Sequence, residues 1–249
     1  MKIGMCDWSL RARDVSVVPL ARKLGLEGVQ LQMGEPKDGV PLRRPEVQKQ
    51  YLEAARRERI EFPAICPLFL NQAPLFLEPV TAIWLLDSIG VARALGAKVV
   101  MMPFFSRGEL KEAWQVDRTV DVLKQAAPKA EAAGVILGFE NTLPAEENLK
   151  VLDRVGSRAL QVWYDVGNSS QRGYDVPAEI RRLGRERIPM FHIKDGQSLL
   201  GQGPIQFPPI AAAIKDIGYD GWLILETASP NDVEADTRRN IDYVRRLFA

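Results

Sequence analysis

Apolar residues fall along this chain in two alternating rhythms: short unbroken runs, and longer stretches with helical spacing that close on glycine. The unit recurs with a period of about 30 residues, a repeat of supersecondary size. It is clear where Gly25 precedes Gly28-Val29-Gln30-Leu31, Gly96 precedes Lys98-Val99-Val100-Met101, and Gly134 precedes Val135-Ile136-Leu137-Gly138-Phe139. It recurs where Gly156 precedes Leu160-Gln161-Val162-Trp163, Gly184 precedes Met190-Phe191-His192, and Gly218 precedes Gly221-Trp222-Leu223-Ile224-Leu225. Gly just past a helix end is the left-handed terminator. With 2–6 and 62–66 added, eight strands are predicted. They alternate with helices near 15–24, 45–58, 80–95, 113–133, 145–154, 177–183, 207–217 and 232–247.

Strictly alternating units with all-apolar strands predict parallel strands covered by helices. The chain has 249 residues, and eight such units in this length predict an α/β fold, a single (β/α)8 TIM barrel spanning 1–249. An open doubly wound sheet is the alternative, but no GxGxxG follows the first strand. The long segments 33–44, 67–79, 103–112 and 194–206 all run from strand to helix. They place the functional face at the C-terminal ends of the strands.

Composition narrows the partners. Lys and Arg number 33 against 32 Asp and Glu, a net charge of +1, so no basic field recruits nucleic acid. Cys6 and Cys66 are too far apart for a CxxC motif and read as reduced interior thiols, which predicts a cytoplasmic protein. No apolar run approaches the roughly 20 residues of a membrane span, so no membrane partner is expected. A homo-oligomer is left open.

The chemistry gathers at four consecutive strand ends. Glu140 follows Gly138-Phe139, Asp165 follows Val162-Trp163-Tyr164, the one histidine in the chain, His192, follows Met190-Phe191, and Glu226 follows Ile224-Leu225. Any one of them has an ordinary explanation; Asp165, for instance, can cap the next helix. Taken together they point to a divalent cation. Three carboxylates at one place repel each other, no basic residue stands beside Glu140, Asp165 or Glu226 in sequence, and isolated buried charge is very costly. Glu140, Asp165, His192 and Glu226 are therefore the expected ligands. Their oxygen-rich set suits Mn²⁺ first, then Mg²⁺, with Zn²⁺, Co²⁺ or Fe²⁺ also compatible.

Phe139-Glu140-Asn141, Tyr164-Asp165-Val166-Gly167-Asn168, Phe191-His192-Ile193-Lys194-Asp195, Leu200-Gly201-Gln202-Gly203-Pro204 and Gly218-Tyr219-Asp220-Gly221-Trp222, in this order, resemble the sugar isomerase/epimerase TIM barrels of the xylose isomerase-like superfamily. Ketose 3-epimerases, inosose-processing enzymes, hydroxypyruvate isomerases and, more distantly, endonuclease IV belong to it. The resemblance implies a Glu-Asp-His-Glu metal site at the same four positions, with Glu140 and Glu226 as the catalytic proton-transfer pair. Their expected reaction is proton removal next to a carbonyl, through an ene-diolate, by an isomerase or epimerase of a sugar or related hydroxy-ketone. An inosose-type dehydratase shares the first step, and a non-catalytic sugar-binding barrel shares the ligands. A nuclease of the endonuclease IV type needs several histidines and a DNA-binding surface, which this chain lacks.

The sequence also departs from the ketose 3-epimerase pattern. Asn168 stands where a substrate-binding His is expected, Gly196-Gln197-Ser198 where an Arg is expected, and Gln30 or Gln32 where many relatives carry Glu. These departures weaken an assignment to 3-epimerisation of free ketoses. Trp8, Gln32, Phe104, Asn168, Lys194 and Asp195 are the expected substrate contacts, with Phe69 and Phe105 assigned to packing. Lys194 is read either as a cation for substrate or intermediate, or as a loop lysine paired with Asp195.

Overall fold

Nine short parallel strands carry the site, and a computed structural model describes residues 1–249. The strands are β1 Lys2–Cys6, β2 Gly28–Gln32, β3 Ala64–Cys66, β4 Val99–Pro103, β5 Ile136–Glu140, β6 Leu160–Gln161, β7 Tyr164–Asp165, β8 Met190–Ile193 and β9 Trp222–Leu225. Their hydrogen-bonded order is β6-β5-β4-β3-β2-β1-β9-β8-β7. The helices are α1 Val17–Leu24, α2 Pro45–Glu58, α3 Pro79–Leu95, α4 Ala113–Ala133, α5 Ala145–Val155, α6 Val166–Gln171, α7 Val176–Leu183, α8 Phe207–Asp216 and α9 Val233–Leu247. The expected helix ends on left-handed glycine are present at Gly25, Gly96, Gly134 and Gly156. No helix is long and apolar enough to cross a membrane.

The chain divides into two compact units. Met1–Gln30, Glu53–Glu61 and Tyr164–Ala249 form one; Leu31–Leu52 and Phe62–Trp163 form the other. In the first, β7, β8, β9, β1 and the start of β2 pair side by side. Their apolar residues, among them Met5, Phe191, Leu223 and Ile224, are buried, as are the inward faces of α1, α7, α8 and α9 through Val18, Ile180, Ile214 and Ile241. Strands covered on both faces read as continuous apolar runs, which is why they were legible. Packing between β1, β9 and β2 is close. A Cβ at Gly4 would stand 2.8 Å from Ile224 Cδ1 and 3.2 Å from the Gly28 carbonyl oxygen.

In the second unit, Leu31 and Gln32 of β2 pair with Ile65 and Cys66, and β3, β4, β5 and β6 follow in order. Val100, Leu137 and Phe139 are buried there, as are Leu85 of α3 and Leu123 of α4.

The expected strand six is not one strand. β6 pairs with β5 in one unit and β7 with β8 in the other, and Val162 and Trp163 between them belong to no strand. Both residues are buried, so the apolar run is continuous although the ladder is not. α6 was also unanticipated. Its sequence, VGNSSQ, has no helical apolar spacing; the Asp165 carboxylate starts it by accepting from the Asn168 N–H.

Candidate metal centre

The strand ends of the first unit bring the expected chemistry together. Asp165 is in register with His192 across β7 and β8, and Ile193 with Leu225 across β8 and β9. Glu226 follows directly, its N–H donating to the Ile193 carbonyl at 3.1 Å. Side chains two apart on a strand share a face, so Lys194 projects on the side of His192.

His192 is fully buried. Its Nδ1 lies 3.5 Å from Asp165 Oδ2 and 3.5 Å from Glu226 Oε2. Its Nε2 meets Gln30 Oε1 at 2.7 Å and lies 3.6 Å from Cys6 Sγ. Cys6 and Gln30 are paired across β1 and β2, and the thiol donates to the same Gln30 oxygen at 3.3 Å. Burial pushes the Cys6 thiol up to about 12 against the pull of His192, so it remains an S–H. Asp165, His192 and Glu226 each offer a donor atom within 4.8 Å of the others. Oxygen and imidazole nitrogen are a suitable set for a hard or borderline divalent cation.

No basic residue stands beside these acids in sequence, but Lys194 reaches two of them in space. Its Nζ lies 2.8 Å from Asp165 Oδ2 and 2.7 Å from Glu226 Oε2, and it donates to the latter. Asp165 Oδ2 receives no well-aligned hydrogen bond, so the ammonium acts on it chiefly as a charge. Burial opposes ionisation of Asp165, yet Lys194 and His192 beside it hold its carboxyl well below the usual carboxylate range. The lysine reaches this position across Gly167, where a Cβ would strike the Lys194 stem and stand 2.9 Å from its Cε. The pairing with Asp195 is not formed: Lys194 turns to Asp165 and Glu226, and Asp195 to the N–H groups of the following loop.

The remaining expected residues divide. Trp8, just past β1, donates from Nε1 to Glu226 Oε1 at 3.0 Å and meets the His192 ring edge-on at 6.4 Å between centroids. Asn168 is half-buried in the first turn of α6, its N–H held by Asp165. Asp195 is fully buried. Oδ2 accepts from the N–H groups of Gly201 and Gly203 and Oδ1 from that of Ile205, so both oxygens serve the loop after β8.

Three expected residues lie in the second unit. Glu140 ends β5 as a buried acid, and its carbonyl accepts from the Phe104 N–H at 2.8 Å. Phe104 is buried edge-to-face on Phe139 at 4.8 Å, a packing position. Gln32, half-buried, ends β2 opposite Cys66.

Gln30 and Cys6 were not among the expected site residues. A signal for Gln30 existed. An amide inside a buried apolar strand is retained only where it is hydrogen-bonded, and Gln30 interrupts such a run.

Residues 18–247 match the family model described as a xylose isomerase-like TIM barrel. This chain belongs to that family. Over 208 residues it is 28% identical to 2-epi-5-epi-valiolone 7-phosphate 2-epimerase of Actinoplanes sp., covering 82% of this chain and 76% of the relative. The structure of L-ribulose 3-epimerase superposes with a TM-score of 0.85 at 20% identity, covering 99% of this chain and 94% of the other. A zinc-bound IOLI protein superposes with a TM-score of 0.78 at 15% identity, covering 100% and 98%. The α/β barrel class read from strand–helix alternation is thus the class of this xylose isomerase-like chain, which is a homologue of named sugar epimerases.

Proposed function

We propose that the protein is a divalent-metal-dependent isomerase or epimerase of a sugar or related hydroxy-ketone. The observation that carries the proposal is the convergence of Asp165, His192 and Glu226, three donors from β7, β8 and β9, within 4.8 Å. Glu140, the buried acid ending β5, is the fourth ligand in this reading. Kinship with a named 2-epimerase supports the reaction class. Mn²⁺ suits the oxygen-rich set, and Zn²⁺ is supported by the zinc-bound structural neighbour.

When bound, the cation supplies Lewis-acid stabilisation of the negative charge that develops on substrate oxygens as a proton leaves carbon. Glu140 and Glu226 are the proton-transfer pair. One removes the proton next to the carbonyl, and the other returns one to the opposite face or to the neighbouring carbon. Trp8 holds the orientation of Glu226 by donating to Oε1, while Oε2 meets the Lys194 ammonium. Lys194 delivers positive charge beside Asp165 and Glu226 and, with Asn168 and Gln32, is assigned to substrate hydroxyl and carbonyl oxygens. Asp195 and Phe104 are assigned to the loop and the core instead.

The test is metal content after dialysis, together with solvent deuterium incorporation into a panel of ketoses and inososes. Metal at one equivalent and exchange into at least one panel member are expected. Glu140→Gln is expected to lower exchange by about 100-fold or more, the scale of general acid–base catalysis. Exchange at the wild-type rate in that variant would remove Glu140 from the mechanism.

A further inference from the structure

The metal proposed above needs a lone pair on the imidazole nitrogen that faces Asp165 and Glu226, and an imidazole has two neutral tautomers. If Nδ1 carries the proton, His192 offers those carboxylates an N–H and no ligand. The carboxylates beside Nδ1 favour a proton there, so groups on the other side of the ring must hold it on Nε2. The groups at Nε2 are Gln30 Oε1, 2.7 Å away, and Cys6 Sγ, 3.6 Å away.

We infer that Gln30 is the positioning residue of this site: its carbonyl oxygen takes the Nε2 proton of His192 and so leaves the Nδ1 lone pair turned toward Asp165 and Glu226. This rests on the metal site proposed above and goes further, since it assigns a task to a residue outside the ligand set.

Three features of the buried cluster support the assignment. First, Gln30 has no exposed surface, so water does not substitute for its oxygen. Second, the amide is directional. Its oxygen accepts from two donors, the Cys6 thiol at 3.3 Å and the imidazole, while its Nε2 is buried without a hydrogen-bond partner. Turning the amide over would give up the thiol's hydrogen bond and set NH₂ against Nε2, which forces the proton to Nδ1. The thiol's hydrogen bond to Oε1 favours the orientation in which oxygen faces the ring. Third, the backbone pairing of Cys6 with Gln30 across β1 and β2 holds donor and acceptor together irrespective of the metal. Gln30 is also neutral. A carboxylate here would set the same tautomer but add a third negative charge beside a ring that already faces Asp165 and Glu226.

The chain has one histidine, so the tautomer is directly readable. Long-range proton–nitrogen NMR on ¹⁵N-histidine-labelled, metal-free protein at about pH 8, above the ordinary histidine range, gives a single imidazole pattern. An Nε2–H pattern is expected. An Nδ1–H or mixed pattern overturns the inference whatever the enzyme's activity. Gln30→Met keeps the volume but offers only a weak thioether acceptor in place of the amide oxygen; it is expected to lose most of the bias toward Nε2–H. It should also weaken Mn²⁺ binding by about 10–100-fold, the usual loss when such a partner of a metal-ligating His is removed. Gln30→Glu is expected to recover the Nε2–H pattern. An undisturbed Nε2–H pattern in Gln30→Met shows that the tautomer is set elsewhere and overturns the role. Failure of the proposed isomerase activity, with the Nε2–H pattern intact, would count against the function and leave the positioning of His192 standing.

Discussion

Asp165 at the end of β7 and Asp195 just past the end of β8 are both buried acids at neighbouring strand ends, but their surroundings differ. Asp195 faces backbone only: three N–H groups of the following loop point at its two oxygens. Asp165 gives one oxygen to the Asn168 N–H and turns the other toward the Lys194 ammonium and the His192 ring. A carboxylate held by amides is structural, because amides cannot leave. One held by a side-chain ammonium and an imidazole has partners that a cation can displace, which a cation-binding site needs. Burial and position at a strand end do not separate the two cases; the chemistry of the partners does.

The largest effect expected from breaking this contrast is at Asp195. Asp195→Ala strands three loop N–H donors, one of them, on Ile205, in a buried residue, at about 1–3 kcal/mol for each donor left unsatisfied. A loss of more than about 3 kcal/mol in urea unfolding is expected, with no change in metal affinity per folded molecule. A loss below about 1 kcal/mol would mean that the loop finds other acceptors.

Lys194→Met tests the opposite case. Without metal it leaves no ammonium between Asp165 and Glu226, and removing one partner of a buried pair costs about 3–5 kcal/mol. Both Lys194 and Glu226 retain some exposure, so the lower end of that range is expected. Added Mn²⁺ is expected to restore much of the loss, since a ligand that binds only the folded state stabilises it. Equal destabilisation with and without Mn²⁺ would show that no cation replaces the ammonium. Gly167→Ala sharpens the same point with a smaller effect. The new methyl displaces the Lys194 stem rather than removing its charge. Its stability in urea is expected to fall between wild type and Lys194→Met, at about 1–2 kcal/mol, the range of a local overpacking.

These contrasts also mark what was legible in the sequence. Glu140, Asp165, His192 and Glu226 stood out because each follows an apolar run, and a charge at that position demands an explanation. The partner of the acids did not stand out. Lys194 lies beside Asp195 in sequence, and only the fold shows that the two take separate partners. The break between β6 and β7 was hidden because Val162 and Trp163 are as apolar and as buried as strand residues. α6 was hidden because a capping carboxylate, not periodicity, starts it. Gln30 was visible as a departure from the acid expected in β2, but its task depends on the register of Cys6 with Gln30 and on a ring from β8.

The smallest expected effect concerns a third buried aspartate, Asp236 in the first turn of α9, which is held mainly by backbone N–H groups, with the Arg239 guanidinium 3.7 Å from its Oδ1. Its Oδ2 accepts from the N–H groups of Asn231 and Asp232, at 2.9 and 3.2 Å. The bond from Asn231 lowers its carboxyl below the ordinary value, against the opposing effect of burial. The folded protein therefore binds fewer protons at this group than the unfolded chain, and stability gained from it is present above the unfolded aspartate value of about 3.9. That contribution is lost as pH falls through the depressed folded value. Asp236→Asn removes the ionisation but keeps an accepting oxygen. The urea midpoint of wild type should exceed that of Asp236→Asn at pH 6, and the gap should narrow steadily toward pH 3. Because Asp236 lies outside the proposed ligand set, metal content should be the same in both proteins throughout. A gap that stays constant with pH would show that the aspartate works there by shape and not by charge, and would separate Asp236 from the charged acceptors it resembles.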